Sequence, residues 1–252
     1  MEFTERTSTN DQYNWFLIGG MMIDPMIAEW KHVFKLDPEK SLTDEALDAL
    51  CLSGTDAIIV GGSSGVTYDN TIDLLSRIRR YATPCALEVS EIEAVVPGFD
   101  LYLVPVVLNA LDPEFIVGKH QRALTRYGNV LPADGIVAEG YIIANPDCEA
   151  ARVASARAPL EEADIVSYAR YADRLLRLPI VYLEYSGMFA PMEVVRKTRH
   201  ALRQAQLVYG GGIDSAQRAA EAAAMADTIV VGNVIYTSLA QALETVKAVK
   251  NT

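Results

Sequence analysis

Glu184 is the residue whose position in the sequence most clearly indicates chemistry. It lies in residues 181–187, Val-Tyr-Leu-Glu-Tyr-Ser-Gly, which predict a β-strand that runs directly into a polar loop. A carboxylate near the end of an apolar strand is costly unless it is paired, hydrogen-bonded or used in a reaction. Glu184 therefore has the chemistry to orient or deprotonate a substrate hydroxyl. The alternative is a structural carboxylate that binds backbone N–H groups.

Two glycine turns later in the chain predict an anion site. Gly210-Gly211-Gly212 follows one apolar run, and Gly232-Asn233 follows the next. Glycine lets the backbone approach an anion closely, and the N–H groups at the start of a following helix point toward it. Either turn alone is equally well explained as a tight connection. Two of them in parallel positions favour a phosphate site.

Three polar residues near the ends of two earlier strands add to this site. Lys35 lies inside an apolar strand, and an inward-pointing strand lysine usually neutralises an anion. Asp37 and Ser63 have the oxygen ligands for a divalent cation, since Mg²⁺ prefers a carboxylate, a few weaker oxygens and substrate phosphates. Asp37 is also explained as a turn residue ahead of Pro38.

Other polar residues give weaker signals. We expect a structural role for Glu139, another in-strand acid, while the role of Glu88 stays open. The three histidines have no metal-ligand spacing and are expected at the surface or in packing. Tyrosines and Trp30 are consistent with an apolar groove, although aromatic residues lie more often in the core.

Eight apolar runs of strand length must position these residues. They are near-continuous rather than alternating, as in parallel strands that helices cover; they span residues 32–36, 56–60, 84–89, 100–105, 137–143, 181–185, 206–209 and 227–231. Helical patterns fill most gaps, but residues 90–98 are too short for a full helix. We therefore predict a modified (β/α)8 TIM-type barrel in which the helix after strand three is reduced or missing. A doubly wound open sheet is the alternative.

Composition narrows the classes of function. The chain has 252 residues, half of them hydrophobic, which suffices for one large core. Its net charge of −11 argues against a nucleic-acid partner, which would require a basic face. Three cysteines without metal-site spacing predict a reduced, cytoplasmic compartment.

The N-terminus is predicted to lie outside the barrel. The apolar stretch 15–23 is too short to cross a bilayer and lacks the basic flank of a signal peptide. We predict an N-terminal extension over residues 1–28 and a single barrel domain over residues 29–252.

Several segments together resemble the geranylgeranylglyceryl phosphate synthase family, and most closely its bacterial PcrB-type members. The resemblance begins near Glu29 and extends over the rest of the chain; the segments that carry it are residues 30–38, 59–63, 96–100, 182–187, 209–212 and 231–233. They occur in the order in which the family has them. Members of the family have a modified barrel that lacks one helix, in agreement with the short gap at residues 90–98.

The resemblance implies a prenyltransferase. Such an enzyme joins sn-glycerol 1-phosphate to a long polyprenyl diphosphate through an ether bond and releases diphosphate. It implies Glu184 and Lys35 as catalytic residues and Mg²⁺ bound by Asp37 and Ser63. The residues implied for glycerol phosphate binding are Lys35, Tyr182, Leu183, Glu184, Tyr185, Ser186, Gly187, Gly212, Gly232 and Asn233.

The resemblance also bears on the donor and on assembly. Relatives that use shorter donors have a bulky aromatic residue at the position of Ala123, so a small residue favours a heptaprenyl (C35) donor over a geranylgeranyl (C20) donor. Family members are commonly dimers, which implies a homodimer, and a lipid donor implies a transient membrane contact. The alternatives of another class are a sugar-phosphate isomerase or aldolase and a module that only binds a phosphorylated metabolite.

Overall fold

A closed barrel of eight parallel strands forms the centre of the molecule. The computed structural model describes residues 16–18, 21–23 and 25–250. A short antiparallel pair, β1 (Phe16–Ile18) and β2 (Met21–Ile23), precedes the barrel. The barrel strands are β3 (His32–Leu36), β4 (Ala57–Val60), β5 (Cys85–Glu88), β6 (Leu101–Val107), β7 (Ile136–Ile143), β8 (Ile180–Glu184), β9 (Gln206–Gly210) and β10 (Thr228–Val231). Each strand pairs with the next in sequence, and β10 closes the barrel against β3.

Helices connect most of the strands. They are α1 (Pro25–Ala28), α2 (Asp44–Cys51), α3 (Tyr68–Ile78), α4 (Gly118–Tyr127), α5 (Glu149–Val153), α6 (Glu162–Tyr171), α7 (Met192–Ala201), α8 (Ala216–Ala223), α9 (Val234–Thr237) and α10 (Leu239–Lys250). In the part of the chain that the structure describes, no helix is long and apolar enough to cross a membrane.

The connection from β5 to β6 has only a single 3₁₀ turn, Ile92–Ala94. The sequence prediction of a reduced helix after the third barrel strand is therefore confirmed. Val95 and Val96 follow the turn and are buried, and Gly98 takes a positive φ of 113° just before β6. The short connection covers this side of the barrel with loop side chains where a barrel helix would otherwise lie.

Helix α6 has an irregular end. It changes after Tyr171 into a π-helical turn, Ala172–Leu176. Asp173 in this turn is buried, and its carboxylate accepts hydrogen bonds from the backbone N–H groups of Gln204 and Ala205, both at 2.9 Å. The turn thus joins α6 to the loop before β9. The periodicity of apolar residues in the sequence does not predict this polar contact.

Residues near the predicted domain boundary close the lower end of the barrel. Ile27 and Trp30 are buried against interior residues such as Val33. The side-chain amide of Gln206 donates to the carbonyl of Ile27 at 3.1 Å. Ile27 thus packs on the barrel although the predicted extension includes it. The boundary at residue 28 stays a prediction, because residues 1–15 lie outside the described residues.

His32 is fully buried at the start of β3. Its Nδ1 lies 3.0 Å from Thr55 Oγ1, and its Nε2 lies 2.9 Å from Thr245 Oγ1 on α10. Burial lowers the pKa of His32 to about 4, because the imidazolium would lose its hydration there. His32 is therefore a packing residue, which is one of the two roles that the sequence predicts for it.

The low pKa of His32 predicts acid sensitivity of the fold. The unfolded state takes up the proton at its ordinary pKa of 6.5, so stability is complete above that value and is lost as the pH falls toward 4. We expect His32 alone to lower the free energy of unfolding by about 3 kcal/mol between pH 7 and pH 4.

Urea unfolding of wild type and His32→Gln at several pH values measures this contribution. The pH slope of the variant should be shallower than that of wild type between pH 4 and 6.5. His200→Gln, at an exposed histidine, should keep the wild-type slope. Equal slopes for wild type and His32→Gln would contradict the assignment.

Candidate active site

Most of the predicted site residues gather at the carboxyl ends of four neighbouring strands, β8, β9, β10 and β3, and Ser63 follows the adjacent strand β4. Glu184 is the last residue of β8 and lies in register with Gly210 of β9. Lys35 lies near the end of β3, which pairs with β10 just before Gly232. Because all strands of a barrel end on one face, these residues share one mouth.

Glu184 is buried and held from two sides. Tyr141 OH on β7 donates a hydrogen bond of 2.7 Å to Glu184 Oε2, and the backbone N–H of Ser186 donates to Oε1. Burial raises the pKa of Glu184, although Lys35 and the Tyr141 hydrogen bond act in the opposite direction. A carboxylate with a raised pKa at a barrel mouth is suited to accept a proton from a substrate.

Lys35 forms a buried ion pair with Glu88, the last residue of β5. Burial opposes the charged form, but the carboxylates of Glu88 and Glu184 outweigh it and raise the pKa of Lys35. The ammonium also lies 5.6 Å from the ring centroid of Tyr182 and 6.0 Å from that of Tyr141. Lys35 is therefore a fixed positive charge in the barrel interior.

Glu139 on β7 completes a group of three buried carboxyl groups around one ammonium. Its Oε2 atom and the Oε1 atom of Glu88 are buried without a hydrogen-bond partner. Burial, with a contribution from Glu88, raises the pKa of Glu139 well above its ordinary range. Its burial thus favours the neutral form of Glu139, and the structural role expected for it stays a prediction.

Asp37 and Ser63 lie on adjacent loops. A Cβ atom at Gly62 would approach Asp37 Oδ1 to 2.6 Å, so the absence of a side chain at Gly62 makes room for the carboxylate. Asp37 Oδ1 accepts one long hydrogen bond, of 3.1 Å, from the N–H of Glu39. The carboxylate therefore keeps lone pairs for a cation, and Ser63 next to Gly62 has a second oxygen. These residues fit the Mg²⁺ that the sequence resemblance implies.

The two glycine turns have different physical causes. Gly212 has a φ of 57°, and a Cβ atom there would overlap the backbone nitrogen of Phe189. The fold itself therefore requires glycine at Gly212. At Gly232, by contrast, the nearest atom to a Cβ would be the carbonyl oxygen of Lys35, at 3.6 Å. Packing therefore does not require glycine at position 232. The absence of a side chain there leaves the backbone accessible beside Asn233 and the start of α9.

The segment after residue 181 contributes alternate side chains. Tyr182 points into the barrel, where its ring stacks on that of Tyr141 with centroids 4.5 Å apart. Leu183 and Tyr185 pack instead in the layer between barrel and helices. Only the backbone of Leu183 and Tyr185 is thus directed toward the mouth. Ser186 is half-buried, and Gly187 is exposed with a φ of 84°.

An apolar cavity of about 320 Å³ opens beside the charged groups. Ser63, Glu88 and Tyr141 line its polar end, so the cavity is continuous with the site at the mouth. Ala123 on α4 also lines it, and its place in a prenyl groove stays a prediction. Its apolar walls come mainly from β6 and α4, and they include Val104, Val106, Phe115, Leu124, Tyr127 and Leu131.

A family model described as the PcrB family matches residues 25–250. Heptaprenylglyceryl phosphate synthase of Geobacillus kaustophilus is 56% identical over 224 residues, which cover 89% of this chain and 94% of that protein. The chain belongs to the PcrB family. Another relative named heptaprenylglyceryl phosphate synthase, from Bacillus cereus, is 54% identical and matches over 89% of this chain and 98% of its own length.

The fold of this PcrB-family protein is shared with a solved structure. The structure of (S)-3-O-geranylgeranylglyceryl phosphate synthase from Thermoplasma acidophilum, in complex with sn-glycerol-1-phosphate, superposes with a TM-score of 0.80. It is 24% identical, and the match covers 90% of this chain and 96% of that chain. The resemblance seen in the sequence and the predicted barrel are both confirmed. The roles of individual residues and the homodimer stay predictions.

Sequence patterns missed or left open several groups at the mouth. The sequence leaves the role of Glu88 open, yet Glu88 pairs with Lys35. No pattern marks Tyr141, yet its hydroxyl donates to Glu184. Tyr236 on α9 accepts a hydrogen bond of 2.8 Å from the N–H of Asp37. The only sequence signal for these residues is their position near strand or helix ends, which many residues share.

The two glycine turns make a prediction about stability. We expect Gly212→Ala to destabilise the fold by about 2 kcal/mol, because the residue has a left-handed backbone and no space for Cβ. Gly232→Ala should change the free energy of unfolding by less than about 0.5 kcal/mol. Denaturant unfolding of both variants checks this. Equal losses would show that packing requires both glycines.

Proposed function

We propose that the protein is a prenyltransferase that forms an ether bond between sn-glycerol 1-phosphate and a long polyprenyl diphosphate, with heptaprenyl as the donor, and releases diphosphate. One observation carries the proposal: an apolar cavity opens beside a buried acid–lysine site at the carboxyl end of a barrel. Relatives at 54–56% identity bear the name heptaprenylglyceryl phosphate synthase. A sugar-phosphate substrate has no apolar chain to fill such a cavity.

The acceptor phosphate is assigned to the turns after β9 and β10. Gly232 and Asn233 precede α9, whose first backbone hydrogen bond runs from Ile235 N to Gly232 O at 3.0 Å. The N–H groups that precede this bond have no partner within the helix and can donate to an anion. Lys35 supplies positive charge on the glycerol side. The Thermoplasma relative binds sn-glycerol-1-phosphate, which supports the same acceptor here.

Mg²⁺ is assigned to Asp37 and Ser63. Over residues 25–250, no group of three or more His, Cys, Asp or Glu side chains is arranged to hold a metal ion by itself. The ion would therefore take its remaining ligands from water and the donor diphosphate, as Mg²⁺ does at many phosphate sites. When bound, it neutralises negative charge that develops on the leaving diphosphate.

The chemical step uses the carboxylate of Glu184. The bond between C1 of the prenyl chain and the diphosphate oxygen breaks, and its electron pair leaves with diphosphate. A glycerol hydroxyl oxygen forms the new bond to C1, and its proton passes to Glu184. Tyr141 and Ser186 orient the carboxylate, while the apolar cavity walls exclude water that would compete as a nucleophile.

Incubation with radiolabelled sn-glycerol 1-phosphate, Mg²⁺ and prenyl diphosphates of different length tests the proposal. We expect a prenylglyceryl phosphate product, with the highest kcat/KM for the C35 donor. Turnover with the C20 donor at a higher kcat/KM would overturn the donor assignment. No ether product with any donor would overturn the function itself.

Glu184→Gln is the direct variant for the base. The amide keeps the shape but cannot take the proton, so kcat should fall about 10²–10⁴-fold while acceptor binding is kept. Because the carboxylate must be ionised, wild-type activity should be lost as the pH falls through a pKa above the ordinary value of 4.5. Glu139→Gln changes a buried carboxyl group that has no proposed part in the reaction and should retain activity. Unchanged turnover in Glu184→Gln would remove Glu184 from this role.

Ala123→Trp tests the assignment of the groove. The indole would fill part of the cavity wall on α4, so the preferred donor should become shorter than C35. Thr125→Trp is the matched control, since Thr125 is exposed on the same helix and does not line the cavity. Product analysis with a mixture of C20 and C35 donors measures the preference. An unchanged C35 preference in Ala123→Trp would contradict the groove assignment.

A further inference from the structure

The loop after β3 brings a second lysine to the barrel mouth. Lys40 follows Asp37 by three residues, and its backbone N–H donates to the Asp37 carbonyl at 3.0 Å. This turn directs the Lys40 side chain back across the mouth toward β10 and α9. The two lysines therefore lie on different sides of the site, with Lys35 in the barrel interior and Lys40 on its rim.

The ammonium of Lys40 lies between two groups that the preceding sections assign to anion and metal binding. Its Nζ is 3.5 Å from Asn233 Oδ1 and 3.8 Å from Asp37 Oδ2. Both distances are long for a hydrogen bond, so neither group satisfies the ammonium. The side chain is 45% exposed, which leaves room for a ligand to reach it.

Tyr236 fixes the position of Lys40. Lys40 Nζ lies 4.9 Å from the centroid of the Tyr236 ring, which gives a cation–π contact without using the N–H donors. The Tyr236 hydroxyl accepts from the N–H of Asp37 at 2.8 Å, so the ring joins this loop to α9. Burial raises the pKa of Tyr236 to about 12, and the hydroxyl stays neutral.

The other cations near the phosphate turns are already engaged. Lys35 is paired with Glu88. Arg218 on α8 donates to Asp214 Oδ2 at 2.7 Å and to the carbonyl of Gly212 at 3.0 Å. A phosphate at Gly232 and Asn233 would carry close to two negative charges at pH 7. Among these described cations, Lys40 differs because its nearest carboxylate, that of Asp37, lies beyond hydrogen-bond distance.

We propose that Lys40 is a further substrate-binding residue whose ammonium binds the phosphate group of sn-glycerol 1-phosphate at the Gly232–Asn233 turn. The assignment rests on the proposed function, because it presumes this acceptor. The ammonium exchanges its long contact with Asn233 for a charge-assisted hydrogen bond to a phosphate oxygen. Lys40 thereby places charge on the outer side of the phosphate, opposite Lys35.

Calorimetric titration with sn-glycerol 1-phosphate tests the assignment without requiring turnover. Lys40→Gln should weaken the acceptor Kd about tenfold, which corresponds to one charge-assisted hydrogen bond at a partly exposed site. Lys40→Arg should restore most of the affinity. Lys247→Gln removes the same charge from an exposed position on α10 and should bind as wild type does. In turnover, KM for the acceptor should rise in Lys40→Gln with little change in kcat.

A parallel titration with inorganic diphosphate separates the two anion sites. The proposal requires that Lys40→Gln weakens binding of the acceptor more than binding of diphosphate. A larger loss for diphosphate would assign Lys40 to the leaving group, and an acceptor Kd equal to wild type would remove it from the site. If wild type itself does not bind sn-glycerol 1-phosphate, the proposed function fails, which is a different result from either.

Discussion

The structure at the barrel mouth depends on one constraint: a single buried ammonium must balance several buried carboxyl groups. Lys35 pairs with Glu88, Glu184 takes hydrogen bonds from its neighbours, and burial raises the pKa of Glu139. A buried charge without such partners would cost more than the fold can supply. This arrangement places the Glu184 carboxyl group and the positive charge of Lys35 at one mouth, which suits a reaction between a hydroxyl and an anionic donor.

The barrel divides the site into a charged half and an apolar half. Alternate residues of β8 face inward, so Tyr182 and Glu184 reach the interior while Leu183 packs outside. The missing helix between β5 and β6 leaves that side of the barrel lined by loop and α4 side chains, and the apolar cavity lies there. The charged half and the apolar half meet at Glu88, which lines the cavity and holds Lys35.

Much of this arrangement is predictable from the sequence. The remainder is not predictable, and the reasons are physical. Continuous apolar runs predict all eight barrel strands, and the short stretch 90–98 between two of them predicts the missing helix. Glu184 and Lys35 are recognisable because charge inside an apolar strand is unusual. Tyr141, Tyr236 and Lys40 are not, because their roles depend on contacts across the mouth. Gly212 and Gly232 look alike in sequence, yet only the first is required by backbone packing.

The position of the acceptor phosphate tests the account most directly. A crystal structure with sn-glycerol 1-phosphate and a non-hydrolysable prenyl diphosphate would show it. We expect the phosphate at the backbone N–H groups of Gly232 and Asn233, with a glycerol hydroxyl in hydrogen-bond distance of Glu184 and the prenyl chain along Ala123. A phosphate bound elsewhere, or a prenyl chain outside the cavity beside β6 and α4, would contradict it.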